Sequence, residues 1–234
     1  MATAEMSRWQ ERLHIPAYRV VEAARYARTS TQTVRHWQKS KNGRARVVSA
    51  RERGASLSYF QLVEVGVVAA MRKAGVRLSK IRQAREYLIE KLGSAYPFAE
   101  YRFKTDGKNL FLGYDQVGKS SDKDKLLSVN ENGQIACEIL SQRLREFEYD
   151  ADLGTVLRWR VDGVDSPVMV DPRIAFGAPQ VCGVATWVIS QRWMSGEGLT
   201  DIADDYGLEP HLVARALRFE AIEVDPERPN QWAH

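Results

Sequence analysis

Apolar positions recur at helical spacing along much of the chain. In residues 18–27, Val20, Val21, Ala24 and Ala27 share one helix face, and Pro16 lies just upstream, where a helix start favours it. Residues 28–30 break the pattern. Thr29 and Ser30 are N-cap candidates for a second short helix over 31–39, whose inward positions are Val34 and Trp37. A helix-turn-helix needs a small residue inside its first helix and an apolar residue about ten positions later inside its second. Ala24 and Val34 meet that requirement. Residues 40–48 join a turn signal to a short β-prone run, the pattern of a wing. Residues 57–74 are largely apolar and predict a buried helix stopped by Gly75. Residues 78–92 are amphipathic, with Leu78, Ile81, Ala84, Leu88 and Leu92 on one face and Gly93 as the stop.

Beyond residue 100 the period changes. Residues 101–112 alternate as strand, turn and strand, and 126–129 with 134–137 flank a turn in the same way. A polar helix near 139–147, a strand over 156–161 and a linker over 162–167 follow. Residues 184–194 read as one helix, ended by Gly196 and Gly198. Leu199, Ile202, Ala203 and Tyr206 then share a face, Gly207 punctuates, and Pro210 opens a helix striped by Leu212, Val213, Ala216 and Leu217. Ala203, Gly207 and Val213 reproduce the helix-turn-helix spacing more fully than the first pair does. The expected fold is mainly α with small β hairpins (α+β). It comprises a winged helix-turn-helix over 1–98, a small α+β connecting module over 99–167, and a helix-turn-helix-like helical domain with a tail over 168–234.

Composition narrows the class. The 234 residues are 44% hydrophobic and 27% charged, a globular balance, and no apolar run approaches the ~20 residues of a membrane helix. Residues 1–10 lack a secretory pattern, and two cysteines exclude a disulfide scaffold, so a reduced cytoplasmic protein is expected. The net charge of +4 conceals an asymmetry. Residues 1–100 hold 19 Lys and Arg against 8 Asp and Glu; residues 101–234 hold 15 against 22. Any polyanionic partner therefore belongs to the first part, unless those cations simply form a solvated surface.

The residues expected to meet DNA lie on and beside the second helix. Thr29, Ser30, Thr31, Gln32, Thr33, Arg35, His36 and Lys39 combine base-reading and phosphate-binding groups, and Arg44 and Arg46 sit on the expected wing. Arg35, Lys39, Arg44 and Arg46 suit phosphates; Gln32, Thr33 and His36 suit bases. A symmetric operator implies a homodimer. The second helix pair carries five carboxylates against Arg215 and Arg218 over 199–220, which opposes phosphate and favours protein contact or dimerisation.

Catalytic patterns are thin. Residues 113–120 match G-x-x-x-x-G-K-[ST] literally, yet two carboxylates and a short strand follow where a phosphate loop needs a helix N-terminus. A solvated hairpin loop is expected there. The histidines at 14, 36, 211 and 234 and the cysteines at 137 and 182 form no metal-ligand spacing, and each thiol is expected to be buried. No enzyme activity, catalytic residue, metal or cofactor is expected.

These residues resemble known families. Thr33-Val34-Arg35-His36-Trp37, with the helices of 57–92, resembles MerR-type winged helix-turn-helix regulators. Val170-Asp171-Pro172-Arg173-Ile174-Ala175-Phe176-Gly177-Ala178-Pro179, then Gly183, Gly198-Leu199, Ile202-Ala203 and Asp205-Tyr206-Gly207-Leu208, is similar to the bacterial domain of unknown function 433. Proteins that join these halves resemble VapB-like antitoxins, partners of PIN-domain ribonuclease toxins. The resemblance implies an antitoxin that inhibits such a toxin and represses its own operon by binding operator DNA. It also implies that Arg228, with Trp232 as an aromatic anchor, could plug the toxin's acidic site; a frayed terminus is the other reading of that tail. The alternative function is a MerR-like regulator sensing a small ligand through its second half, although the chain lacks the long dimerising helix and metal-binding cysteines of sensor members.

Overall fold

The structure, a computed structural model, describes residues 8–40, 45–100, 103–105, 110–112, 145–150 and 154–224. The chain divides into two compact units, Met1–Leu157 and Arg158–His234. The first unit opens with α1 (Arg8–Arg12), α2 (Val20–Tyr26), α3 (Thr31–Trp37), α4 (Tyr59–Lys73), α5 (Leu78–Leu92) and α6 (Pro97–Glu100). An antiparallel hairpin follows, β1 (Phe103–Thr105) with β2 (Leu110–Leu112), in which Phe103 faces Leu112. β3 (Phe147–Tyr149) then pairs with β4 (Val156–Trp159), closed by the Asp150 amide donating to the Thr155 carbonyl at 2.8 Å.

α4 is the axis of this unit. Every residue except Ala69, Arg72 and Lys73 is buried, as an all-round apolar helix requires. A capping box fixes its start: the Ser58 hydroxyl accepts from the Gln61 amide at 3.3 Å, and the Gln61 carboxamide oxygen accepts from the Ser58 amide at 2.9 Å. α2 and α6 pack against α4, and the chain before α2 is tied to it by reciprocal amide–carbonyl bonds between Tyr18 and Leu57. Phe60 extends the core into an aromatic cluster with His14 and Tyr96, ring centres 5.0 and 5.2 Å away.

One charge lies inside that apolar axis. Glu64 is 0% exposed, and its Oε2 accepts the Ser49 amide at 2.7 Å. Arg85, buried on α5, donates to the Ser49 hydroxyl at 2.9 Å and lies 4.0 Å from Glu64 Oε1. Ser49 in turn donates from its hydroxyl to the Ala95 carbonyl at 2.9 Å. Burial pushes the Glu64 carboxyl up to about 7, although the bonds from Ser49 and the charge of Arg85 oppose the rise. Burial likewise lowers Arg85, with Glu64 resisting.

The second unit is a helical trio on a small strand frame. Trp159 bridges to Val170 and Met169 to Gln180, and β5 (Gln180–Val181) pairs with β6 (Val184–Ala185). α7 (Thr186–Met194), α8 (Leu199–Tyr206) and α9 (Pro210–Phe219) follow, with α8 and α9 both packed on α7 around Ile189, Ile202, Val213 and Leu217. Gly207 ends α8 at φ +62°, a left-handed conformation that glycine adopts without steric cost. Asp171 is buried beneath this frame and fully paired: Oδ1 accepts the Arg173 amide and Nε at 2.9 and 3.0 Å, and Oδ2 accepts Arg173 at 2.7 Å and Arg158 at 3.0 Å. Burial alone would raise its pKa, but these bonds hold the carboxyl below the usual carboxylate range.

Several elements differ from the sequence expectation. The helix expected over 184–194 begins at Thr186, because Val184 and Ala185 pair with β5 instead. Phe147, expected as the last residue of a helix, opens the strand Phe147–Tyr149 instead. Residues 45–48, the described part of the stretch expected as a wing, belong to no strand; Val47 and Val48 are buried, and both amides donate to the Trp37 carbonyl at 2.8 and 3.2 Å. Cys182, expected to be buried, is exposed at the β5–β6 turn. The phosphate-loop match at 113–120, the hairpin over 126–137 and Cys137 lie outside the described residues. No helix among the described residues is long and apolar enough to cross a membrane.

Glu64 makes stability depend on pH. Its folded-state pKa lies above its unfolded value, so the native state binds the extra proton, and the protein is more stable below the ordinary value of 4.5 than above the folded value of about 7. Stability should fall by about 3 kcal/mol across that window. Urea unfolding at pH values across it is expected to show the decline in the natural protein and its absence in Glu64→Gln.

Candidate nucleic-acid interface

α3 is built to present one polar face. Ser30 occupies the N-cap in extended conformation, its hydroxyl accepting the Thr33 amide at 3.0 Å and lying 2.8 Å from the Thr33 hydroxyl. Thr29, the other cap candidate, closes the preceding helix through its amide, which donates to the Ala24 carbonyl at 2.9 Å. Val34 and Trp37 are buried against α2, beside the buried Ala24. With those anchors set, helical geometry turns Gln32, Arg35, His36 and, just past the helix, Lys39 to solvent.

Seven of the sequence-derived candidates converge on one open groove of about 950 Å³: Ser30, Thr31, Gln32, Thr33, Arg35, His36 and Lys39. Its lining also includes Arg72, from the last turn of α4, and Leu78, the first residue of α5. Neither was visible as a site residue in the sequence, since each lies some forty positions from α3 and only tertiary packing brings them together. The Arg72 guanidinium is held by its own turn, donating to the Val76 carbonyl at 2.7 Å. Residues 65–85 contain six Lys and Arg and no acidic residue. The groove therefore offers cations for phosphate together with amide, imidazole and hydroxyl groups able to donate and accept.

The segment behind α3 is fixed through the Glu64 network. The Gln38 carboxamide donates to the Ser49 carbonyl at 3.3 Å and accepts from Arg51 at 3.2 Å, and Arg82 donates to the Ala45 carbonyl at 3.0 Å. Arg46 is exposed on this segment but is not among the groove residues. Arg44, Arg228 and Trp232 lie outside the described residues.

The second helix pair repeats the packing without the electrostatics. Ala203 and Val213 are buried in α8 and α9, in the positions corresponding to Ala24 and Val34. The outward face of α8 shows Asp201, Asp204 and Asp205. Arg215 on α9 is bound to Asp162 at 2.7 Å, and Arg192 on α7 pairs with Glu197 and Asp205. Among the described residues, no group of three or more His, Cys, Asp or Glu side chains is placed to hold a metal ion.

Comparison with known proteins gives likenesses over most of the chain. No protein-family model matches it. It is 27% identical over 227 residues to a Mycobacterium tuberculosis (strain ATCC 25618 / H37Rv) protein named "Putative antitoxin VapB45", the alignment covering 88% of this chain and 94% of that protein. The X-ray crystal structure of Rv2018 from Mycobacterium tuberculosis is similar with a TM-score of 0.63 and 25% identity, over 88% of this chain and 99% of that one.

The Ser30 cap positions the groove face, so its loss should be felt as stability. Ser30→Ala is expected to cost about 1 kcal/mol. Chemical unfolding of the variant checks this, with Thr29→Ala as the contrast, since Thr29 contributes its backbone amide rather than a cap.

Proposed function

We propose that this protein is an antitoxin that binds operator DNA through the α3 groove and inhibits a PIN-domain ribonuclease toxin, acting in the cytoplasm. The observation that carries the antitoxin part is the likeness, across 88% of the chain, to a protein named as a VapB antitoxin. The DNA part rests on the groove, where Arg35 and Lys39 supply charge and Gln32, Thr33 and His36 supply base-reading groups on one face of α3. The MerR-like and domain-433-like resemblances of the two halves agree with this division of labour. In this reading Arg44 and Arg46 add phosphate contacts beside the groove, and the tail with Arg228 and Trp232 meets the toxin.

A duplex carrying the sequence upstream of the protein's own gene tests the DNA role. The logarithm of affinity should fall with the logarithm of salt by about 0.9 per phosphate contact, and Arg35→Ala should reduce that slope by roughly one unit. Gln32→Ala should instead narrow the preference for this duplex over unrelated DNA. Binding that is absent, or indifferent to salt, overturns the DNA role.

The toxin role has its own readout. Tagged protein recovered from its native host should carry a small nuclease in stoichiometric amount, and Arg228→Ala should weaken inhibition of that nuclease. Recovery of DNA with no nuclease overturns the antitoxin reading.

A further inference from the structure

Ser49 is a junction between the core of the first unit and its groove helix. Its amide donates to Glu64 Oε2 at 2.7 Å, its hydroxyl donates to the Ala95 carbonyl and accepts from Arg85, each at 2.9 Å, and its carbonyl accepts from Gln38 at 3.3 Å. Gln38 is the C-cap of α3, and its carboxamide oxygen accepts from Arg51, so residues 49–51 engage both ends of that side chain. Trp37, the last residue of α3, takes the Val47 and Val48 amides on its carbonyl. Residues 47–51 therefore run bonds from the buried carboxylate on one side to the end of the groove helix on the other.

That carboxylate is only half satisfied. Glu64 Oε1 and Arg85 Nε are buried 4.0 Å apart, and neither has a hydrogen-bond partner among the described residues. Ionised, the group leaves a bare oxygen in the core; a proton on Oε1 removes the charge and lets Oε2 keep the Ser49 amide. Few other charges reach it. α5 supplies Arg85, which itself feels Arg46 and Glu86; α6 supplies the Phe98 backbone, while Glu100 there takes the Ser94 hydroxyl. α2 turns Ala23, Ala24 and Tyr26 inward, and on α4 the cations Arg72 and Lys73 lie about two turns further on. Burial raises the Glu64 carboxyl from an ordinary 4.5 to about 7, so the closed arrangement holds a proton that an opened one releases. Closure is fully favoured below 4.5, loses ground as pH rises, and is weakest above about 7. α4 and α5 are helices of fifteen residues each, whereas residues 47–51 have no ladder of their own and are the part that yields.

We infer that Glu64 is a positioning residue for the α3 groove: when ionised, it loosens residues 47–51 and with them the end of the helix that meets DNA. This role rests on the DNA reading above and adds a regulation to it, DNA binding that weakens as acidity falls. The affinity of the full chain for the duplex upstream of its own gene tests it, measured from about pH 5 to about pH 8. Nuclear magnetic resonance of the free protein follows the Ser49 amide and the Gln38 carboxamide over the same range. His36, a second protonatable group of the groove, is present in every protein compared, so the ratio of variant to natural affinity isolates Glu64. Glu64→Gln keeps an acceptor for the Ser49 amide. It should bind like the natural protein at the acid end and more tightly at the alkaline end, the gap opening by no more than about tenfold per pH unit, the limit for one proton. The Ser49 and Gln38 signals should move together in the natural protein and stay still in the variant. Circular dichroism checks the variant's fold; if it misfolds, the natural protein decides, upheld by an affinity that falls while both signals titrate and overturned by one that stays level. A level affinity ratio overturns the proposal. So does a Ser49 signal that titrates while Gln38 stays still, because the carboxylate then does not reach α3. Absence of DNA binding at every pH overturns the DNA reading and this role with it, whereas binding that ignores pH overturns this role alone.

Discussion

The buried Glu64 carboxylate is the constraint from which the first unit takes its arrangement. A charge on the central apolar helix is costly to desolvate, and it is retained only where donors converge on it. The partners here come from far apart in sequence: the Ser49 amide, which donates to the carboxylate, and from the next helix the charge of Arg85 at 4.0 Å, whose guanidinium also holds the Ser49 hydroxyl. Their convergence pins residues 45–51, a stretch with no strand partner of its own, between α3, α4 and α5. That stretch in turn holds the end of α3, through the Val47 and Val48 amides on the Trp37 carbonyl and the Gln38 contacts with Ser49 and Arg51. The polar face of α3 is thus placed from behind by one ionisable group.

The second unit uses the same device with the opposite outcome. Asp171 is as buried as Glu64, but it receives bonds to both oxygens from Arg158 and Arg173, both partly exposed, and its pKa falls where that of Glu64 rises. The difference lies in geometry. Arg173 is two residues from Asp171 and forks across both oxygens, whereas Arg85 stands 4.0 Å from Glu64 with no direct hydrogen bond. One carboxylate is neutralised by hydrogen-bonded partners; the other is left to share its burden with a proton.

Periodicity made the helices legible. The 3.6-residue pattern located α2, α3, α5, α8 and α9, and Ala24 with Val34, and Ala203 with Val213, marked the two close-packed pairs because small and branched residues at that spacing serve helix contact. Short elements were less legible. Val184 and Ala185 continue the apolar run of α7, so nothing local separates a two-residue strand from a helical first turn. Val47 and Val48 have strand chemistry, yet Trp37 takes both their amides. The α3 half of the groove was visible as a polar helix face, but Arg72 and Leu78 were not, since their membership depends on how the α4–α5 turn folds back. Cys182 was misplaced because thiols are usually buried, and a tight turn at φ +49° carries this one outward.

Arg72 carries a thermodynamic consequence of its place in the turn. A mobile surface arginine loses about 2 kcal/mol of rotamer freedom when it is immobilised on a ligand. The hydrogen bond to the Val76 carbonyl already restricts the Arg72 side chain while its planar head retains further N–H groups. An anion entering the groove meets a guanidinium whose disorder was surrendered when the chain folded, so less entropy remains to be lost at the moment of contact.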